Sequence, residues 1–136
     1  MTEIECHCGA VRVELSGEPR VQFFCHCDDC QAMHGAAYIP VAMYPAEAVK
    51  VTRGTPRVWS LKATARTTCP ECGTRMFAEV PQAGARCVSG FLLPPSIFRP
   101  AFHMQCRFAV RPVRDDLPHF AGFPAAFGGS NETMDW

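Results

Sequence analysis

The sequence predicts a single, mainly β domain, and three observations carry that reading. The chain has 136 residues, the length of one ordinary domain. Hydrophobic residues make up 48% and charged residues 19%, so there is enough apolar surface for a core. Twelve prolines and ten glycines are spread among short apolar segments. That punctuation leaves no room for a long helix and favours several short strands.

The elements follow in order. Residues 10–15 (Ala-Val-Arg-Val-Glu-Leu) alternate apolar and polar, the period-2 pattern of a half-buried strand. Ser16 to Pro19 form a turn, and Val21 to Phe24 run directly into a cysteine cluster. Residues 36–44 read as a strand broken at Pro40, which predicts an edge or a bulge. Pro45 to Ala48 suit one helical turn, because proline is preorganised for a first helical position. Residues 49–53 and 57–63 are expected as two strands around Gly54-Thr55-Pro56. Residues 75–80, 86–93 and 104–110 complete the strands. The chain becomes loop-like from Asp115, and residues 121–136 are expected as a flexible tail. No repeat and no linker marks a second domain, so residues 1–136 are taken as one.

Charge narrows the function classes. Lys plus Arg (13) balances Asp plus Glu (13), and the basic residues never form a run. That argues against a polybasic grip on nucleic acid. No segment approaches the roughly 18 apolar residues of a membrane span. The first residues show neither a basic nor an apolar leader region, so a soluble, cytoplasmic protein is expected.

The nine cysteines are the informative residues. They fall as Cys6-x-Cys8, Cys25-x-Cys27-x-x-Cys30 and Cys69-x-x-Cys72, with Cys87 and Cys106 alone. Cysteines one or two residues apart are poorly placed to bond to each other and well placed to hold one metal ion. A disulfide framework would call for an exported chain and wider spacing. Cys69-Pro70-Glu71-Cys72-Gly73 is a knuckle of the zinc-ribbon kind, and Cys6-His7-Cys8-Gly9 repeats it with a shorter spacer. The rival for Cys69-x-x-Cys72 is a redox dithiol, which expects a following helix, whereas residues 74–80 read as a strand. Two knuckles each supply half of a four-coordinate centre, so Cys6, Cys8, Cys69 and Cys72 would complete a closed, structural site. Cys25, Cys27 and Cys30 supply three ligands, which leaves the fourth tetrahedral position to water or substrate, as in catalytic zinc. Spacing alone does not force this division: His26, His34, Asp28 or Cys87 as a fourth ligand would close the second site. Asp28 and Asp29 are expected to face solvent, His26 to point away from the metal, and Cys87 and Cys106 to act as small buried hydrophobes. His103 and His119 have no partners nearby in sequence and are read as structural or exposed.

Cys6-His7-Cys8-Gly9-Ala10-Val11, Cys25-His26-Cys27-Asp28-Asp29-Cys30 and Cys69-Pro70-Glu71-Cys72-Gly73-Thr74 together resemble the glutathione-dependent formaldehyde-activating enzyme family, which also includes centromere protein V. Gly54-Thr55-Pro56 before Trp59 and the late segment Asp115 to Phe120 extend the resemblance over nearly the whole chain. It implies a tent-like β fold of short antiparallel strands with two zinc ions per chain. Structural zinc would lie on Cys6, Cys8, Cys69 and Cys72, and catalytic zinc on Cys25, Cys27 and Cys30. The implied reaction joins glutathione and formaldehyde into S-(hydroxymethyl)glutathione, a carbon–sulfur lyase chemistry. Thr68, Gln31, His34 and Leu93 depart from the family's usual residues and are candidates to shape a pocket. His26 and Asp28 are the nearest candidates for a general acid or base. The competing reading is a non-enzymatic zinc module that contacts protein or small thiols.

Overall fold

The alternation of residues 12–15 becomes strand β2, and its inward residues set the first layer. The computed structural model describes residues 1–136. β1 (Thr2–Glu5) pairs antiparallel with β2 (Arg12–Leu15), and β2 pairs antiparallel with β5 (Val49–Arg53). Ile4 stands opposite Val13, and Leu15 opposite Val49, and all four are buried. The remaining strands are β3 (Val21–Cys25), β4 (Ile39–Pro45), β6 (Arg57–Leu61), β7 (Thr64–Thr68), β8 (Arg75–Val80), β9 (Ala85–Ser89) and the two-residue β10 (His103–Met104). Mainly β is what the structure shows. No helix is long and apolar enough to cross a membrane.

The chain forms two compact units, Met1–Val21 with Ala42–Phe98 and Gln22–Val41 with Arg99–Trp136. In the first, β1-β2-β5 make one sheet, and β4, β9, β8, β7 and β6 follow one another as neighbours in another. Ile4, Val11, Val13, Leu15, Ala42, Tyr44, Val49, Met76, Phe77, Val88 and Leu93 form one buried cluster together with Cys6 and Cys69. The first knuckle and the second are therefore anchored in the same apolar core.

In the second unit the neighbours are β10, β3 and β4, with β10 parallel to β3 (His103 opposite Phe24, Met104 opposite Cys25). One helix, α1 (Asp28–His34), follows β3. Phe23 stacks on Phe102 with centroids 5.3 Å apart, and Phe127 meets both edge-on. Residues 121–136, expected as a tail, are tied down by main-chain bonds from Ala121 N to Glu132 O and from Met134 N to His119 O, each 2.8 Å.

Three local expectations change. Strands do flank Gly54-Thr55-Pro56 as expected, the second ending at Leu61 rather than at residue 63, but they do not pair with each other: β5 pairs with β2 and β6 with β7. Gly54 (φ +85°) is required there, since a Cβ would lie 2.2 Å from the Ala10 carbonyl oxygen. The hairpin instead turns at Lys62, whose φ of 55° is unusual for a side-chain-bearing residue and so left no glycine to mark it. Residues 104–110 give only the end of β10 and a 3-10 turn (Cys106–Phe108), and Pro40 falls at the second position of β4, a strand that is not at an end of its sheet order.

Candidate metal centres

Both knuckles are built alike. Cys6 N bonds Val11 O at 3.0 Å and Gly9 N bonds Cys6 O at 3.0 Å. Cys69 N bonds Thr74 O at 2.9 Å and Gly73 N bonds Cys69 O at 2.9 Å. Gly9 and Gly73 take positive φ, +80° and +75°, which lets the chain turn back under the sulfurs. The His7 amide then reaches Thr74 Oγ1 at 3.1 Å, joining one knuckle to the other. Arg53 strengthens the first knuckle by donating to both Gly9 O and Glu5.

The sulfurs converge accordingly. Cys8 Sγ lies 3.7 Å from both Cys6 Sγ and Cys69 Sγ, and Cys72 completes the group. A zinc–sulfur bond of about 2.3 Å implies a tetrahedron edge of about 3.8 Å, so this donor set and spacing fit zinc. The thiols' acidities show the same crowding. Thr74 draws Cys72 down to about 5 by hydrogen bonds from its hydroxyl and amide, with the Cys8 amide assisting. The Ala10 amide favours a Cys8 thiolate, but burial and the neighbouring sulfurs outweigh it and push Cys8 up to about 12. A cation among four sulfurs this close would favour their thiolate forms together. The dithiol rival loses its premise: the residues after Cys72 form strand β8, paired with β7 and β9, and not a helix.

The three remaining clustered thiols sit at a strand-to-helix junction. Cys25 ends β3, Cys27 caps α1 by accepting the Cys30 amide at 3.2 Å, and Cys30 lies in the first turn. Cys25 Sγ to Cys30 Sγ is 3.6 Å, and Cys27 Sγ to Cys30 Sγ is 2.8 Å. Cys25, Cys27 and Cys30 form a three-donor group whose chemistry suits zinc. The neighbouring sulfurs of Cys27 and Cys30, with burial, raise the Cys25 thiol well above its ordinary value. Gln31 braces the junction by donating from Nε2 to His26 O and Phe108 O, both at 2.8 Å. Asp28 is exposed, as expected, and its Oδ1 accepts the Asp29 amide. The helix had legible signals, two acidic residues in its first turn and Gly35 in the left-handed conformation at its end.

His26 does not join the thiols. Its ring is buried, with Nε2 2.9 Å from His103 Nδ1. Burial, then His103 and His119, push His26 down to about 4, so it is neutral at pH 7. His103 Nε2 lies 2.7 Å from Asp115 Oδ2, and His119 Nε2 lies 3.3 Å from Asp115 Oδ1. Sequence reasoning treated His103 and His119 as isolated. The available signal was the i,i+4 spacing of Asp115 and His119; the 77-residue step from His26 to His103 has none.

The four departures divide. Gln31 braces the three-thiol junction, and His34 lies in the last turn of α1. Thr68 and Leu93 are buried, Thr68 accepting the Trp59 indole N–H at 3.3 Å and Leu93 packing in the apolar cluster, so they shape the core of the first unit.

Comparison with known proteins gives two findings. A Rhodobacter sphaeroides protein of known crystal structure is 22% identical, with a TM-score of 0.56 over 69% of this chain and 89% of its own, which is a likeness of fold. No curated protein matches. The family model described as glutathione-dependent formaldehyde-activating enzyme matches residues 1–107, a span that contains all seven clustered cysteines. The chain belongs to the glutathione-dependent formaldehyde-activating enzyme family.

Proposed function

We propose that the protein is a zinc-dependent enzyme of carbon–sulfur lyase type acting on a thiol adduct, with glutathione and formaldehyde giving S-(hydroxymethyl)glutathione as the reference reaction. The observation that carries the reading is the inequality of the two cysteine groups, four donors in one and three in the other. Cys6, Cys8, Cys69 and Cys72 hold a structural zinc. Cys25, Cys27 and Cys30 hold a catalytic one. When bound there, zinc supplies the positive charge that keeps an entering thiol ionised. Three thiolates already give the centre a formal charge of −1, which favours thiolate delivery over polarisation of a carbonyl.

The chain's own residues hold and shape this centre. Cys27 and Cys30 are fixed by the capping bond, and Gln31 locks the peptide between Cys25 and Cys27 through His26 O. In the reaction the thiol sulfur bonds to the formaldehyde carbon, the carbonyl electron pair moves to oxygen, and that oxygen takes the proton the thiol released. Of the two proton carriers nominated by sequence, Asp28 is the accessible one, since the His26 ring is buried and engaged. Nine cysteines without a disulfide suit a reducing, cytoplasmic setting.

The test replaces zinc by cobalt, whose thiolate charge-transfer absorption counts bound sulfurs. Titrating glutathione should add about one thiolate per chain, as a fourth tetrahedral ligand. Cys27→Ser should abolish the saturable change and slow the exchange of formaldehyde with glutathione followed by NMR. Absence of any response to glutathione or other small thiols would favour a non-enzymatic zinc module.

A further inference from the structure

His103, Asp115 and His119 form a group that the thiol chemistry does not use. All three lie in the second unit, brought together by the short parallel pairing of His103 with His119. One ligand atom from each falls within 4.8 Å of the others. The two imidazoles stack with centroids 4.7 Å apart, and both turn Nε2 toward the two oxygens of one carboxylate.

As a purely hydrogen-bonded network this arrangement is incomplete. His103 Nε2 and Asp115 make a good bond at 2.7 Å. His119 Nε2 is buried yet has no hydrogen-bond partner; its 3.3 Å approach to Asp115 Oδ1 has ion-pair distance without hydrogen-bond geometry. Native structures rarely leave a buried ring nitrogen unpaired, because the hydration it loses is not replaced. A cation placed among the three groups would use this nitrogen, the second imidazole and the carboxylate together.

The surroundings are those of a ligating histidine. A metal-bound imidazole usually engages its other nitrogen in a hydrogen bond that fixes ring orientation. His103 does this through Nδ1, 2.9 Å from His26 Nε2. Asp115 is itself fixed, Oδ1 accepting the Leu117 amide at 3.1 Å. Trp136 covers the rings, its centroid 4.8 Å from that of His119 and 5.3 Å from that of His26. His103 is fully buried and the His119 side chain is 11% exposed.

We propose that His103, Asp115 and His119 form a third metal site, for a divalent transition ion such as Zn²⁺, separate from both cysteine groups. Two imidazole nitrogens and a carboxylate are a borderline donor set that suits zinc and leaves one tetrahedral position for water or an anionic oxygen ligand. The formal charge of Zn²⁺ with two neutral imidazoles and one carboxylate is +1, opposite in sign to the three-thiolate centre. Lacking thiolates, this site exchanges its ion more readily than the other two and fills on addition of metal.

The test uses the full chain with its cysteine sites already filled by zinc. Cobalt is added, and uptake is read by visible absorption and by elemental analysis after desalting. One further cobalt per chain is expected, with weak d–d bands and no new thiolate charge-transfer absorption. His119→Gln should remove this saturable uptake, and a separate preparation of the same variant with cobalt in the three-cysteine site should keep its response to glutathione. Asp115→Asn should do the same; if it does not fold, His119→Gln decides alone. No saturable uptake in the native chain, uptake accompanied by thiolate absorption, or equal uptake by His119→Gln would each overturn the third site. None of these outcomes bears on the thiol chemistry, whose failure is read in the charge-transfer band.

Discussion

Cys8 Sγ and Cys69 Sγ lie 3.7 Å apart although 61 positions separate them in the chain. A metal ion at this point would close that loop and so couple directly to folding.

Cys8→Ser and Cys69→Ser are therefore expected to give insoluble or unfolded protein, since structural zinc contributes on the order of 10 kcal/mol of apparent binding energy. Cys27→Ser should remain folded by circular dichroism while losing metal from its own group. Equal instability of the Cys27 and Cys69 variants would refute the structural–catalytic division.

Metal content offers a direct count. Four plus three clustered thiols should retain two zinc ions per isolated chain, measured by elemental analysis on reduced protein. One ion or none would dismantle the division, and loss from the three-cysteine group should come first because that group has fewer donors.

Gln31→Ala removes a brace that touches no sulfur. The carbonyls of His26 and Phe108 lose their 2.8 Å donors, at about 1 kcal/mol each by the usual net value of a hydrogen bond. Metal affinity at Cys25, Cys27 and Cys30 should fall roughly 10- to 100-fold, as supporting contacts of ligands generally require. Competition with a chromogenic chelator measures it, and unchanged affinity would show that Gln31 does not orient the junction.

Gly54→Ala should cost about 3 kcal/mol or more in urea unfolding. The alanine would have to adopt φ near +85° and place its Cβ against the Ala10 carbonyl, and a single left-handed residue already costs about 1–3 kcal/mol. A change under about 0.5 kcal/mol would mean that the Ala10 turn yields freely.

Cys87 and Cys106 should be inert. Cys106 is buried and Cys87, expected to be buried, is only half-buried; desolvation pushes both thiols up to about 12, so at neutral pH almost none of either is thiolate, the form that reacts. Alkylation of the metal-loaded chain followed by peptide mass mapping should leave both unmodified until denaturant is added. Rapid labelling of either would contradict that protection.

The cysteine centres were legible because most of their information is local. Cys25, Cys27 and Cys30 lie within six residues, and each knuckle announces itself by its spacing and its glycine. The half-buried alternation of residues 12–15 was equally plain. The hairpin at Lys62 was hidden because a lysine occupies the positive-φ position that glycine normally marks. Pro40 misled for a related reason, since the penalty it signals depends on its place within the strand. Of the histidine group only the i,i+4 spacing of Asp115 and His119 was legible, because strand pairing at residues 103–104 brings His103 and His26 to it from distant positions with no shared periodicity.

The unequal reach of the two cysteine groups has a consequence for biosynthesis. As the chain leaves the ribosome, Cys25, Cys27 and Cys30 emerge almost together and need close only a loop of a few residues, a small entropic cost. Cys6 and Cys8 must wait until Cys69 and Cys72 have appeared. The nascent polypeptide thus presents its three-thiol cluster to the cell's zinc supply first, while the four-thiol cluster is still in halves. If both clusters take zinc as proposed, scarcity during translation would leave chains in which the local cluster is loaded while the four-thiol cluster, and with it the first unit, remains open.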